Sequence, residues 1–118
     1  MRTRNYMDGY CHVLAAAIQS ATGWPIYLIE DHVVVQVPDG RYLDWMGLRS
    51  AEELTAAWGT EPERIGHIDR LGWLGSTPDI CDYEAAEQVL ESAGLLTEEI
   101  RKWIAFEVET IRIHRGEI

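Results

Sequence analysis

The sequence predicts an α+β domain in which an N-terminal helix packs on a small antiparallel sheet and two or three helices follow. Apolar residues recur at helical spacing after Cys11, and β-prone runs separated by turn residues span residues 26–45. Helical patterns with recognisable caps follow Ser50. With 118 residues and no evident linker, the chain is expected to form a single domain, residues 1–118.

The first helix is predicted to begin at Asp8, a good N-cap residue that places Cys11 in the first turn. One helical face then carries Val13, Leu14, Ala17, Ile18 and Ala21. Gly23 is expected to end the helix. Because a helix N-terminus has partial positive charge and N–H groups that favour a thiolate, Cys11 has the setting of a nucleophile.

Two strands are predicted next, at residues 26–29 and 32–37, followed by a Pro-Asp-Gly turn into a third run at 41–45. The length of the last loop decides which residues meet. A two-residue loop would put His32 and Asp44 on opposite faces of the sheet.

A three-residue loop at 38–40 instead pairs Val34 with Asp44, and Gly40 can adopt the left-handed conformation that this loop needs. His32 then becomes the diagonal neighbour of Asp44, with Cβ atoms roughly 7 Å apart or less. This register predicts contact between the Asp44 carboxylate and the His32 imidazole.

The stretch DGYCHVLAAAI, followed by HVVVQVPDGRYLDWMG, resembles the papain-like and transglutaminase-like thiol enzymes. The resemblance implies a papain-like core, with Cys11 as nucleophile, His32 as general base and acid, and Asp44 as the residue that orients the imidazole. It also implies that Asn5 supplies an amide group to the oxyanion hole. The implied activity is hydrolysis or acyl transfer at an amide bond of a protein or peptide.

Each of these residues also has a structural interpretation. A lone cysteine on an apolar helix face is usually a small buried hydrophobe. His32 alone fits a polar strand start, and Asp44 alone fits a turn cap. The order of the three residues favours the catalytic hypothesis, and a catalytically silent relative with the same fold is the other interpretation.

No metal or cofactor is predicted, because the cysteines and histidines lack CxxC, HxxxH and HExxH spacing. No signal peptide and no apolar run long enough to cross a membrane is evident. The cysteines are Cys11 and Cys81, and a working thiolate requires a reducing compartment. We therefore expect a cytoplasmic protein that does not contact a membrane.

The formal net charge of −10 argues against direct binding to nucleic acid and favours a basic protein partner. This supports a second hypothesis: a non-catalytic acidic inhibitor that blocks a nucleic-acid-binding surface on its partner, as phage-encoded anti-CRISPR and other DNA-mimicking proteins do. Glu84, Glu87 and Glu91 share one helical face that is suited to this role. The same carboxylates are also consistent with an ordinary solvated face.

The remaining helices are predicted from their caps. Ser50 and Glu53 form a capping box for a helix that Gly59 ends. Asp82 is expected to cap a second helix, ended by Gly94. Thr97 begins a third, whose last part, residues 108–114, fits either a helix or a strand.

Residues 60–80 have an irregular pattern rich in glycine and proline. Long loops in compact domains are often functional, so Trp73 is a candidate for a flap that touches substrate. The alternative is a hydrophobic segment that completes the core. His67 and Asp69 provide a spare base and acid in the same stretch.

Overall fold

The computed structural model describes residues 5–7, 10–65 and 77–116. Their elements confirm the α+β class: an N-terminal helix, an antiparallel sheet of five strands, and three further helices. The sheet order is β4-β3-β2-β1-β5. In chain order the elements are α1 (Cys11–Thr22), β1 (Ile26–Ile29), β2 (His32–Gln36), β3 (Tyr42–Asp44), β4 (Gly47–Arg49), α2 (Ala51–Trp58), β5 (Glu63–Arg64), α3 (Ile80–Ser92) and α4 (Glu98–His114).

Helix α1 buries its predicted apolar face, but it begins later than the sequence indicated. Its N-cap is Tyr10 rather than Asp8. The first hydrogen bond of the helix runs from the Leu14 amide to the Tyr10 carbonyl at 3.3 Å. Cys11 is therefore the first helical residue, still within the first turn. Gly23 ends the helix with a φ of 79°, as predicted.

The register of the β2–β3 hairpin is confirmed. Val35 pairs with Leu43, and the Val37 amide donates to the Arg41 carbonyl at 2.9 Å, which leaves a three-residue loop. Gly40 closes that loop with a φ of 95°, a conformation that glycine adopts without steric cost. The register places Asp44 opposite Val34 and diagonal to His32.

Strands β4 and β5 were not predicted from the sequence. Strand β4 pairs with β3 through a tight turn, in which Asp44 is opposite Gly47 and Tyr42 is opposite Arg49. Strand β5 adds two residues to the outer edge of β1. Both are too short to show the alternation by which a strand is recognised.

The helix caps agree with prediction at α2 and α4 but not at α3. Ser50 forms the expected capping box, and Thr97 caps α4, which stays helical through His114. The N-cap of α3 is Asp79 instead of Asp82. Asp82 is the third helical residue and accepts a hydrogen bond from the Asp79 amide at 2.8 Å. Helix α3 also ends at Ser92, ahead of Gly94.

The sheet separates two hydrophobic clusters. The larger one lies between the sheet and helices α1, α3 and α4, and it contains Cys11. The smaller one lies on the opposite face and joins Val34 to Leu54 and Trp58 of α2. His32 shares the strand face of Val34, since alternate residues of a strand lie on the same side. His32 begins β2 and Asp44 ends β3, so both residues stand at one end of the sheet.

Among the helices that the structure describes, none combines the length and the apolar character needed to cross a membrane.

Candidate functional site

Cys11 lies at the N-terminus of α1 and is 7% exposed. Its side chain borders a narrow space shared with Tyr6, Val33, Leu43 and Asp44, which is too small to hold a water molecule. The sulfur thus has a buried environment at a helix N-terminus.

His32 and Asp44 form a buried pair at the end of the sheet. The His32 Nε2 atom lies 2.8 Å from the Asp44 Oδ2 atom, and the two residues are 2% and 4% exposed. The same imidazole interacts with the side chain of Cys11. The three residues selected from the sequence therefore meet at one imidazole.

The imidazole binds its proton tightly. Burial lowers the pKa of His32, but hydrogen bonding to Asp44 and to the Cys11 side chain, together with the charges of both, raises it from 6.5 to about 9. His32 is consequently protonated at neutral pH. An imidazolium beside a cysteine sulfur is the arrangement that activates thiol nucleophiles.

Asp44 is held by three neighbours. Its Oδ2 atom accepts from His32 and from the Arg49 guanidinium, and its Oδ1 atom accepts from the Met46 amide at 2.8 Å. Burial raises the pKa of this carboxyl, but the His32 hydrogen bond and the Arg49 charge outweigh burial and lower it overall. Asp44 is therefore ionised and fixed in orientation.

Two residues of the site were missed by sequence reasoning. Arg49 contacts Asp44 from β4, and Trp58 of α2 stacks on the His32 ring with 5.0 Å between centroids and 10° between planes. Recognition of β4 would have identified Arg49, because the tight turn after Asp44 places Arg49 on the same sheet face. In the sequence, Trp58 stands next to Gly59 at the end of the helix that Ser50 begins, and nothing in that pattern links it to His32.

Asn5 is not brought to the site by any described contact. Its side chain is exposed, and its Oδ1 atom accepts a hydrogen bond from the Met7 amide at 3.1 Å. This is a local turn that leads toward α1. The predicted place of Asn5 in an oxyanion hole stays a prediction. Trp73, His67 and Asp69 lie outside the described residues.

The acidic face of α3 is partly neutralised. Arg101 of α4 lies 3.3 Å from Glu87 and 4.0 Å from Glu91, measured between guanidinium nitrogen and carboxylate oxygen. Glu84 is exposed on the same helix. The Arg101 cation therefore interrupts the row of carboxylates on α3. A mimic of the nucleic-acid backbone would instead present negative charge without a compensating cation.

Neither a metal site nor a disulfide is found among the described residues. Within residues 5–7, 10–65 and 77–116, no three histidine, cysteine or carboxylate side chains are grouped so as to hold a metal ion. Cys11 and Cys81 both lie in these ranges, and no disulfide joins them.

Comparison of the chain with models of protein families, with curated proteins and with solved structures finds no match in any of the three.

Proposed function

We propose that the protein is a thiol hydrolase or acyltransferase of papain-like type that acts on an amide bond. Cys11 is the nucleophile, His32 the general base and acid, and Asp44 the residue that orients the imidazole. The observation that carries the proposal is that the Asp44 carboxylate and the Cys11 side chain both interact with one buried imidazole.

In the proposed reaction, His32 holds the proton of the Cys11 thiol while the sulfur attacks the carbonyl carbon. A C–S bond forms, and the carbonyl electron pair moves onto oxygen. The Cys11 amide precedes the helical hydrogen bonds of α1, which begin at Leu14, so it is suited to donate to that oxygen. The C–N bond then breaks, and the leaving amine takes the proton from His32.

The acyl group is now a thioester on Cys11. Water or a second amine attacks it, His32 accepts the proton of the attacking group, and the C–S bond breaks to return the thiolate. Water gives hydrolysis, and an amine gives acyl transfer. Peptide, isopeptide, glutamine side-chain and cell-wall amides all suit this chemistry. A reducing compartment such as the cytoplasm would preserve the thiol.

The test is the rate of Cys11 alkylation by iodoacetamide as a function of pH, followed by mass spectrometry in a Cys81→Ser background. We expect His32→Gln to slow labelling at pH 6.5 by about tenfold or more, because the imidazolium no longer favours the thiolate. His114→Gln is the matched control, since His114 is exposed at the end of α4. It should label at the wild-type rate.

Labelling of Cys11 that is equally slow in all three proteins would contradict the proposal. The sulfur would then behave as an ordinary buried thiol. Far-UV circular dichroism of each variant ensures that a slow rate is not read from an unfolded protein.

A second candidate function is that of a non-catalytic acidic protein that blocks a basic surface of a partner. The observation that favours it is the burial of Cys11 beside a space without room for water. A substrate carbonyl must reach the sulfur, whereas a binding protein has no such requirement. Glu84, Glu87 and Glu91 would then contribute to the docking face.

This candidate predicts that Glu84→Lys combined with Glu91→Lys weakens binding of a lysine-rich helical peptide, measured by calorimetric titration at two salt concentrations. The loss should be larger at low salt, where charges are less screened. Glu98→Lys combined with Glu109→Lys makes the same change in net charge on exposed positions of α4. Equal losses in both double variants would show that only net charge matters and would refute a docking face on α3.

A further inference from the structure

One carboxylate oxygen of Asp44 contacts two cationic side chains. Its Oδ2 atom contacts both the His32 Nε2 atom and the Arg49 guanidinium, while Oδ1 is used by the Met46 amide. The β3–β4 register explains this arrangement, because Arg49 stands opposite Tyr42 and therefore on the same sheet face as Asp44. The contact follows from the fold of the hairpin.

The Arg49 guanidinium carries a permanent charge, unlike the imidazole. Its side chain is 24% exposed, so one side reaches solvent while the other lies against a carboxylate that is 3% exposed. A permanent cation on Oδ2 competes with the His32 proton for the same negative charge. The attraction that Asp44 exerts on an imidazolium is reduced by that competition.

The groups that face His32 are few in the described part of the chain. Cys11 faces it from α1, Asp44 from β3 and, through Asp44, Arg49 from β4. Trp58 covers the ring from α2 and carries no charge. Arg49 is thus the cationic side chain that these contacts place nearest to the imidazole.

General acid catalysis requires a group that gives up its proton as well as one that receives it. If the Asp44 carboxylate interacted with His32 alone, the buried imidazolium would be a poor proton donor to the leaving amine. A carboxylate that also contacts Arg49 still orients the imidazole ring, but it stabilises the protonated form of the ring less.

We propose that Arg49 is a positioning residue of this site, which fixes the Asp44 carboxylate and limits how tightly His32 holds its proton. The proposal rests on the function proposed above. Arg49 does not contact the reacting atoms in this role and acts through Asp44.

The experiment compares the wild-type protein with Arg49→Met, Arg49→Lys and Arg41→Met. The measured quantity is the midpoint of the His32 titration, followed by NMR of the imidazole Cε1–H group between pH 5 and pH 11. Methionine keeps an unbranched, flexible side chain and removes the guanidinium charge. We expect Arg49→Met to raise the midpoint by about one pH unit, because the full carboxylate charge now acts on the imidazolium.

Arg49→Lys should return the midpoint toward the wild-type value, because the cation is restored. Arg41→Met is the matched control: Arg41 pairs with Asp39 in the exposed β2–β3 loop, so the midpoint should not move. A midpoint that falls or stays unchanged in Arg49→Met would overturn the proposal. A rise that lysine does not reverse would also overturn it, since the effect would then come from altered packing.

This readout separates the inference from the proposed function. His32 titrates whether or not Cys11 is a nucleophile. A midpoint that responds to Arg49 in a protein whose Cys11 labelling ignores His32 would refute the enzyme and leave the electrostatic link intact. Labelling that depends on His32, with a midpoint indifferent to Arg49, would refute the role of Arg49 alone.

Discussion

Raising the pH from about 6 to about 10 is expected to lower the free energy of unfolding by about 3 kcal/mol, because the folded protein loses the His32 proton that its contacts stabilise. The pKa of His32 is raised from 6.5 to about 9 by its interactions with Asp44 and Cys11, which outweigh burial. The native state therefore binds one more proton than the unfolded state between these two values. Stability from this group is fully present below pH 6.5 and is lost as the pH rises through about 9.

Urea unfolding at pH 6, 7.5, 9 and 10 measures this effect. The control is His32→Gln, which keeps both cysteines and removes only the titrating imidazole. The wild-type protein should lose its stability advantage over the variant as the pH rises. Parallel curves for the two proteins would show that His32 has an ordinary pKa in the folded state.

At acidic pH the dependence of stability on pH has the opposite sign, because it comes from Asp44. The pKa of Asp44 is lowered despite burial, mainly through the His32 hydrogen bond and the Arg49 charge. Its contribution is present above the pKa of an unfolded aspartate and is lost as the pH falls through the lower folded value. The pair is therefore most stabilising between the pKa of an unfolded aspartate and pH 6.5, because the His32 contribution declines above pH 6.5.

The contact between His32 and Asp44 could be predicted because its causes are local. Gly40 admits the left-handed conformation of a three-residue loop, and the loop fixes the pairing of Val35 with Leu43. The two-residue period of strands then brings His32 and Asp44 to one face. The start of α2 was equally local, because Ser50 and Glu53 satisfy each other within one turn.

Other features depend on contacts that sequence patterns do not encode. Asp79 and Asp82 stand three positions apart, and each fits a helix start until the fold shows which is the cap. Arg49 belongs to a strand of three residues, too short for periodicity, so its contact with Asp44 appears only with the hairpin. Trp58 reads as an ordinary apolar residue, because its stacking on His32 depends on where α2 crosses the sheet.

The loss of Asp44 is expected to destabilise the protein more than any other change at the site. Asp44→Ala leaves His32 and Arg49 without their shared counterion in a buried region. Removal of one partner from a buried ion pair typically costs roughly 3–5 kcal/mol, because the remaining charge loses its compensation. Asp44→Asn should cost less, since it keeps the shape of the side chain and its one amide oxygen can still accept from either the imidazole or the Met46 amide.

Urea unfolding at pH 6.5 tests this expectation, and the matched control is Asp39→Ala. Asp39 forms an ion pair with Arg41 on an exposed loop, where such pairs contribute little. Similar stabilities for the Asp39 and Asp44 variants would mean that the buried pair is not ionised. Repeating the comparison at pH 10 separates charge from packing, because His32 is then neutral and the penalty for losing Asp44 should shrink.

The double variant Asp44→Ala with Arg49→Met distinguishes destabilisation by uncompensated charge from destabilisation by a cavity. If uncompensated positive charge causes the loss, removal of the Arg49 cation should restore part of the stability that Asp44→Ala removes. If the cavity left by the carboxylate causes the loss, the two substitutions should be additive or worse. A recovery would show that the destabilisation is electrostatic in origin. It would then come from the same contacts that define the candidate site, in which one carboxylate binds an imidazole and a guanidinium beside the Cys11 side chain.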